Sequence, residues 1–193
     1  MTVHRNFILY KPFGYLSQFV TNDKSKKKLL GELFDFPVET MAIGRLDADS
    51  EGLLFLTTNG LLSEKVRSSK VEKEYFAQLD GLINDQALNQ LRLGVEIGFE
   101  GKRYSTKPCR VEKLLTDPDL PVRTKKIRHP KHGPTCWISL ILNEGKFRQV
   151  RKMTAAVGFP TLRLLRVRIG SIQLKALKPG EVMEVDDFSA DLK

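Results

Sequence analysis

Apolar residues follow two patterns along this chain, strict alternation and short continuous runs, and both are typical of β-strands. The stretch KEYFAQLDG alternates so that Tyr75, Ala77 and Leu79 share one face, and GLLFLTTNG is a buried run ended by a turn. The same patterns predict strands in FILYKPFGYLSQF (two strands around a KPFG turn), RYSTKPCRVEKLL, TCWISLIL, RLLRVRIGSIQL and GEVMEV.

Helical spacing occurs in LLSEKVRSS and, more completely, in DQALNQLRL. Asn84 is suited to cap the start of this second helix, and Gly94 is suited to end it. Its spacing predicts that three apolar side chains are buried, namely Ala87, Leu88 and Leu91.

A third helix is predicted over FRQVRKMTAAVG, with Gly158 beyond its end. Its spacing places the uncharged residues Val150, Thr154 and Val157 on one face and puts most of the basic residues toward the other. The free amides at its start, just after Lys146, form a predicted anion site.

Between these elements, TDPDLPVRTKKIRHPKHGPT is polar and rich in proline, and it reads as one long loop. Strands outnumber helices and are mostly joined by short turns. The predicted fold class is therefore α+β, with a mixed, largely antiparallel sheet and flanking helices. Residues 1–193 are predicted to form a single catalytic domain, with two lobes around a shared sheet and a cleft between them.

The net charge of +9 and the pI near 9.6 favour a polyanionic partner. Between Pro121 and Arg168 there are twelve Lys or Arg residues and one acid, Glu144, which leaves a net charge of −2 for the rest of the chain. A basic face that only keeps the protein soluble would not require this segregation. The distribution indicates a surface for nucleic acid.

No apolar stretch approaches the roughly 18 residues that a membrane span requires, and the first residues contain no signal-peptide core. Cys109 and Cys136 are too far apart for a CxxC pair, so a disulfide scaffold is not expected. We expect a cytoplasmic protein with no membrane partner.

The stretch GRLDADSEGLLFLTTNG carries the carboxylates Asp47, Asp49 and Glu51 at alternate positions. In a calcium loop counted from Asp47, Thr58 would stand where a bidentate glutamate is required, so calcium is not expected. Asp47 remains open between a turn-capping residue and a nucleophile kept ionised by the nearby Arg45. Asp49 and Glu51 fit solvated turn residues better.

Common nucleotide-binding and hydrolase motifs are missing. A zinc site could be built from His129, His132 and Cys136, but there is no close cysteine pair and the fourth ligand would have to be the distant Cys109, so two surface histidines in a basic loop are the preferred interpretation. We therefore expect no metal and no cofactor.

Taken together, these stretches resemble the RsuA/RluB/RluE/RluF family of bacterial pseudouridine synthases. GRLDADSEGLLFLTTNG is similar to its catalytic motif, usually GRLDxxTxGLLLLTNDG, with Ser50 where Thr is usual. Three further blocks follow the family order: KPFG at 11–14, KEYFAQLDG at 73–81 and LNEGKFRQVRKMTAAVGFPTLRLLRVRIG at 142–170. KPFG starts at residue 11, which leaves no room before it for the S4 RNA-binding domain of many relatives, so we expect none.

The resemblance implies a pseudouridine synthase fold and the isomerisation of a uridine. Asp47 would be the catalytic carboxylate that acts on the ribose, Arg151 would pair with it, and Arg45 would enter the RNA stack as the target base flips out. Tyr75 would stack on the uracil, in a pocket lined by Leu164 and Ile169. We expect RNA contacts from nine basic residues: Arg45, Lys73, Arg123, Lys125, Lys126, Arg128, Lys146, Arg148 and Lys152.

The resemblance also implies ribosomal RNA of the large subunit (23S) as partner, either free or in an assembling subunit, and a monomeric enzyme. Two other classes stay open at this point. A non-catalytic RNA-binding or ribosome assembly protein would need only the basic segment from Pro121 to Arg168. A metal-dependent nuclease would use Asp47, Asp49 and Glu51 with divalent ions.

Overall fold

The computed structural model describes residues 4–22, 27–68, 71–123, 125–174 and 177–188. The chain divides into two compact units. The first combines Met1–Val71 with Arg166–Lys193, and the second is the intervening segment Glu72–Leu165.

Strands make up most of the regular structure. Within the described residues they are β1 (Asn6–Lys11), β2 (Met41–Ile43), β3 (Glu51–Thr57), β4 (Lys73–Asp80), β5 (Glu96–Phe99), β6 (Lys102–Ser105), β7 (Arg110–Lys113), β8 (Thr135–Leu142), β9 (Thr161–Ile169), β10 (Ile172–Gln173) and β11 (Val182–Val185). The helices are α1 (Gly60–Ser68), α2 (Asp85–Leu93) and α3 (Gln149–Ala156), with short 3₁₀ turns at Leu30–Glu32 and Pro130–His132. No helix in these described ranges is long and apolar enough to cross a membrane.

In the first unit, β1 lies between β3 and β11 and pairs antiparallel with both. Every residue of β1 and β3 is buried, which agrees with the continuous apolar runs in their sequences. A leucine or phenylalanine buried in this way contributes about 1.5–3 kcal/mol to stability. One core cluster of this unit consists of Phe7, Leu9, Leu30, Leu54 and Leu56.

In the second unit, β8 lies between β4 and β7, again in antiparallel pairings. The predicted faces are confirmed: Ala77 and Leu79 of β4 are buried in one core cluster with the apolar residues of α2. The caps of α2 are also as predicted, because Asn84 Oδ1 accepts a hydrogen bond from the Ala87 N–H at 2.9 Å and Gly94 ends the helix at a positive φ of 95°. The α+β class with a largely antiparallel sheet is confirmed.

Three local predictions were wrong in detail. The stretch after β1 does not form a second strand, and Tyr15 makes only an isolated bridge with Lys28. Strand β5 was not predicted, because it is short, contains a glycine and buries only Ile97. Helix α3 begins at Gln149, two residues later than predicted, because Arg148 adopts a left-handed backbone conformation with φ 54°.

Candidate active site

Asp47 lies in the turn that joins β2 to β3 in the first unit, and its side chain is half-buried. Gly44 leads into this turn with a φ of 73°, a value that L-residues with a side chain rarely adopt. The turn is closed by the Ser50 N–H, which donates to the Asp47 carbonyl at 3.0 Å. Asp47 is therefore the first residue of a tight turn and lies outside the regular strand ladder.

The KPFG loop and the residues that follow it, up to Ser17, hold this turn through both chain neighbours of Asp47. The Gly14 N–H donates to the Ala48 carbonyl at 2.7 Å. The Ser17 hydroxyl accepts from the Leu46 N–H and donates to the Leu46 carbonyl, each at 2.9 Å. Because the residues before and after Asp47 are both held by hydrogen bonds, the fold sets the position of the Asp47 backbone.

Lys11 is buried beneath this turn at the end of β1, with 0% of its surface exposed. Burial lowers the pKa of its ammonium group from 10.5 to about 7, although the nearby carboxylates of Glu51, Asp47 and Asp49 act in the opposite direction. Its Nζ donates to the carbonyls of Pro12 at 3.0 Å and Tyr15 at 2.7 Å. A titratable cation thus lies within electrostatic range of the predicted catalytic carboxylate.

Glu51 corrects one prediction from the sequence. It is the first residue of β3 and is 2% exposed, so it is not a solvated turn residue. The reason is tertiary: β3 pairs with β1 on one side, with Gly52 opposite Lys11, and this places Glu51 beside a buried cation. Asp49 is half-buried in the turn itself.

The surroundings of Gly52 explain why a glycine is required at the start of β3. Its φ is 105°, and a Cβ at this position would lie 2.3 Å from the Arg166 carbonyl oxygen. The Arg166 side chain is buried, and its Nε donates to the Leu53 carbonyl at 2.7 Å. The backbones of β3 and β9 therefore approach closely at this point, and only glycine fits.

The second unit carries the other residues that the resemblance assigns to catalysis. Tyr75 lies on β4, is half-buried and packs against the core of this unit. Arg151 lies on α3, and its Nη1 donates to the Thr161 carbonyl at 3.2 Å. Leu164 is buried in the same core as Tyr75, while Ile169 is buried in the first unit and pairs with Ile172. A uracil pocket formed by these residues stays a prediction.

The predicted RNA-binding residues differ in their exposure and in the contacts that they make within the protein. Arg45 is exposed in the Asp47 turn, Lys73 is half-buried at the start of β4, and Lys125 and Lys126 are exposed in the long loop. Arg128 is different: its guanidinium forms a 2.6 Å salt bridge with Asp80 and also donates to the carbonyls of Gly133 and Pro134. Arg123 donates to the Lys125 and Lys126 carbonyls within its own loop.

Around the start of α3, lysines lie against aromatic rings. Lys146 Nζ is 5.1 Å from the Phe99 ring and 5.0 Å from the Tyr104 ring, distances typical of cation–π contacts. Lys152 Nζ lies 5.2 Å from the ring of Phe147, which is 66% exposed, and donates to the Gly98 carbonyl. Arg148, at the cap position, is half-buried.

Glu144, the one acid of the basic segment, also lies near the start of α3. Burial alone would raise its pKa, but hydrogen bonds from Tyr104, the Lys107 N–H and Gln149 outweigh burial and hold the pKa of this carboxyl below its ordinary value. The predicted anion site therefore already has a protein carboxylate beside it.

No cluster of three or more His, Cys, Asp or Glu side chains in the described ranges is arranged to hold a metal ion. Three of the four candidate zinc ligands already make hydrogen bonds within the protein. Cys136 Sγ accepts from the Ile83 N–H, Cys109 Sγ donates to the Leu91 carbonyl, and His129 Nδ1 accepts from the Lys131 N–H.

Comparison with known proteins decides the family. The model of the family described as RNA pseudouridylate synthase matches residues 5–156, which is most of the chain. The chain belongs to this family. The match includes the KPFG loop, Asp47, Tyr75 and Arg151. The resemblance read from the sequence is thus confirmed at the level of the family.

Individual relatives in the family match the chain over nearly its whole length. The ribosomal large subunit pseudouridine synthase E of Vibrio vulnificus is 42% identical over 185 residues, covering 94% of this chain and 75% of that protein. The protein of the same name from Xanthomonas campestris pv. campestris is also 42% identical, covering 95% of this chain and 96% of its own. A crystal structure of a pseudouridylate synthase matches with a TM-score of 0.75 at 26% identity, covering 96% of this chain and 71% of that chain.

The sequence predictions missed Lys11 and Ser17, two residues that interact with the Asp47 turn. The signal for Lys11 was present, since it is the first residue of the KPFG block. A lysine at the end of a buried apolar strand is unusual, because a charged ammonium group is costly to bury. Ser17 had no such signal, because its contact with Leu46 spans 29 residues of sequence.

Proposed function

We propose that this protein converts a specific uridine of large-subunit ribosomal RNA into pseudouridine, with Asp47 as the catalytic carboxylate. The observation that carries the proposal is the family match over residues 5–156, which contains the Asp47 turn and the loop that holds it. The names of the relatives from Vibrio vulnificus and Xanthomonas campestris support the choice of large-subunit RNA. The proposed substrate is free RNA or an assembling subunit in the cytoplasm, and the enzyme acts as a monomer.

The reaction is an isomerisation, so atoms and electrons balance within the nucleotide. The bond between N1 of the uracil and C1′ of the ribose breaks, the uracil rotates, and a new bond joins C5 to C1′. The proton on C5 is lost, and N1 gains one. Asp47 starts this sequence at the ribose, either by bonding to C1′ or by removing a proton from the sugar. No oxidant or energy donor is required.

The environment of Asp47 supports this role in two ways. Its backbone neighbours are held by Gly14 and Ser17, so the Asp47 backbone does not have to be ordered when RNA binds. Lys11, which is buried within electrostatic range, favours the ionised carboxylate that a nucleophile or base requires while its own ammonium group is protonated. The family resemblance assigns Tyr75 to stacking on the uracil and Arg151 to pairing with Asp47, and the proposal takes both roles.

The test compares Asp47→Asn with Asp35→Asn in cells that lack the chromosomal gene. Asp35 is an exposed aspartate outside the turn, so it controls for the loss of one negative charge. Pseudouridines in large-subunit RNA are mapped for each strain. We expect one site to depend on the wild-type protein, to be restored by Asp35→Asn and to be absent with Asp47→Asn, because loss of a catalytic nucleophile costs about four orders of magnitude or more in rate.

Two other outcomes would contradict the proposal in different ways. Near-normal modification by Asp47→Asn would show that Asp47 is not catalytic. No pseudouridine that depends on the wild-type protein, together with tight RNA binding, would instead favour the non-catalytic RNA-binding class, for which the basic segment suffices. Thermal denaturation of the purified variants shows whether Asp47 is needed only to close its turn.

A further inference from the structure

A pocket of about 800 Å³ lies entirely within the second unit. It lies between the sheet and the part of the long loop before β8 that carries Arg123, Lys125, Lys126 and Arg128, here called the basic loop. Its lining includes Gln78 of β4, Thr135 of β8 and loop residues such as Arg123, Lys125 and Lys126. The volume is typical of pockets that bind small molecules or single monomers of a polymer. None of the residues assigned to catalysis lines it.

Gln78 lines this pocket, and one half of its amide has no hydrogen-bond partner among the described residues. Its Nε2 donates to Thr135 Oγ1 at 3.0 Å, while its Oε1 is buried and accepts no hydrogen bond from any residue in the described ranges. A buried carbonyl left in this state costs about 1–3 kcal/mol. A ligand that brings an N–H group into the pocket would satisfy it.

The remaining lining combines positive charge with apolar surface. Positive charge comes from Arg123, Lys125, Lys126, Arg163 and Arg128, the last of which is paired with Asp80, and no carboxylate lines the pocket among the described residues. Apolar side chains line it too, including Val122, which is 93% exposed. Cations suit a phosphate, an apolar wall suits the face of a base, and an unsatisfied amide suits the edge of a base.

We propose that this pocket binds one unpaired nucleotide of the RNA, other than the uridine that is isomerised. The phosphate lies against Lys125 and Lys126, the base packs on the apolar lining, and an N–H of the base donates to Gln78 Oε1. This inference rests on the proposed function in that the ligand is a segment of the substrate RNA. It assigns a specificity role to Gln78, which the sequence did not single out.

The chain provides its own reporter for this pocket. Trp137 is the single tryptophan, and it is the direct cross-strand partner of Gln78 in the pairing of β4 with β8. Its indole N–H gives one identifiable cross-peak in a ¹⁵N spectrum of the full chain. The probes are adenosine, guanosine and cytidine monophosphates, with inorganic phosphate as a probe of charge alone.

We expect at least one nucleotide to shift the Trp137 signal saturably and to bind about ten-fold more tightly than inorganic phosphate. Gln78→Met, which keeps the length of the side chain but removes the amide, should weaken nucleotide binding about ten-fold and leave phosphate binding unchanged. Lys126→Gln should weaken both ligands. Lys131→Gln is the matched control, because Lys131 is an exposed lysine of the same loop that does not line the pocket.

Equal affinities for phosphate and nucleotides would overturn the inference, as would the absence of any saturable shift. If Gln78→Met does not fold, the comparison of Lys126→Gln with Lys131→Gln decides, and equal affinities for the two variants would count against the pocket. Failure here is distinguishable from failure of the proposed function. Pseudouridine formation without nucleotide binding refutes only the pocket, and nucleotide binding without pseudouridine formation refutes only the proposed activity.

Discussion

The hydroxyl of Ser17 makes a reciprocal pair of hydrogen bonds with the backbone of Leu46, accepting from its N–H and donating to its carbonyl, both at 2.9 Å. Both residues are buried, so water does not compete for these bonds. Asp47 follows Leu46 directly. The Ser17 side chain is therefore the contact through which the segment that follows KPFG sets the start of the Asp47 turn.

Replacing Ser17 with Ala should affect both stability and rate. The change leaves two buried backbone groups of Leu46 unpaired, which costs about 1–3 kcal/mol. It also lets the Asp47 carboxylate move, and a displacement near 1 Å lowers a rate by about 100-fold. Ser63→Ala is the control, since Ser63 is also buried but lies on α1. Urea denaturation and single-turnover pseudouridine formation measure the two effects, and an unchanged rate for Ser17→Ala would contradict the positioning role.

Lys11 should make the stability of the protein depend on pH. Between its folded pKa of about 7 and the ordinary value of 10.5, the unfolded chain binds a proton at Lys11 that the folded chain does not. Stability should therefore rise with pH in this window, with a slope that approaches about 1.4 kcal/mol per pH unit. Lys11→Met should remove this slope.

The measurement for Lys11 is the free energy of unfolding between about pH 7 and 8.5. The upper limit avoids Cys109, because burial raises the pKa of its thiol from 9.0 to about 11 and gives an opposite slope above pH 9. Subtracting the Lys11→Met curve from that of the wild type isolates the lysine. Parallel curves would mean that Lys11 keeps an ordinary pKa in the folded protein.

Gly52→Ala should destabilise the first unit strongly. The added Cβ would meet the backbone of Arg166 at 2.3 Å, and the φ of 105° is unfavourable for alanine. Strain and overpacking together cost about 2–6 kcal/mol. Gly60→Ala is the matched control, because Gly60 opens α1 and a Cβ there meets nothing within 4 Å. Equal midpoints in chemical denaturation for the two variants would refute the close approach of β3 and β9.

The basic loop should divide into residues that bind RNA and residues that hold the fold. Lys125→Gln combined with Lys126→Gln should reduce the slope of log affinity against log salt by about 1.4, since each lost contact with single-stranded phosphate removes about 0.7. Arg128→Gln should instead lower stability, because it breaks the salt bridge with Asp80. The reverse pattern, with Arg128 changing the salt slope and the lysines not, would show that the assignment is wrong.

The sequence by itself determined the elements whose signals are local. Helix α2 is the clearest case, because Asn84 and Gly94 carry their capping preference wherever they stand. Strands β3 and β4 follow from an apolar run and from alternation, which report burial on two faces and on one face. The family was also readable, because its blocks are contiguous stretches with fixed order.

Tertiary structure decided the features that depend on residues far apart in the chain. Glu51 looks like a turn carboxylate, and it is buried only because β3 lies against β1 and brings Lys11 beside it. Arg128 looks like a surface cation, but Asp80, 48 residues away, takes up its guanidinium. In each case the partner lies far away in the sequence, and the local sequence therefore does not show it. The surroundings of these charged residues are therefore set by what the fold places next to them, which the local sequence does not contain.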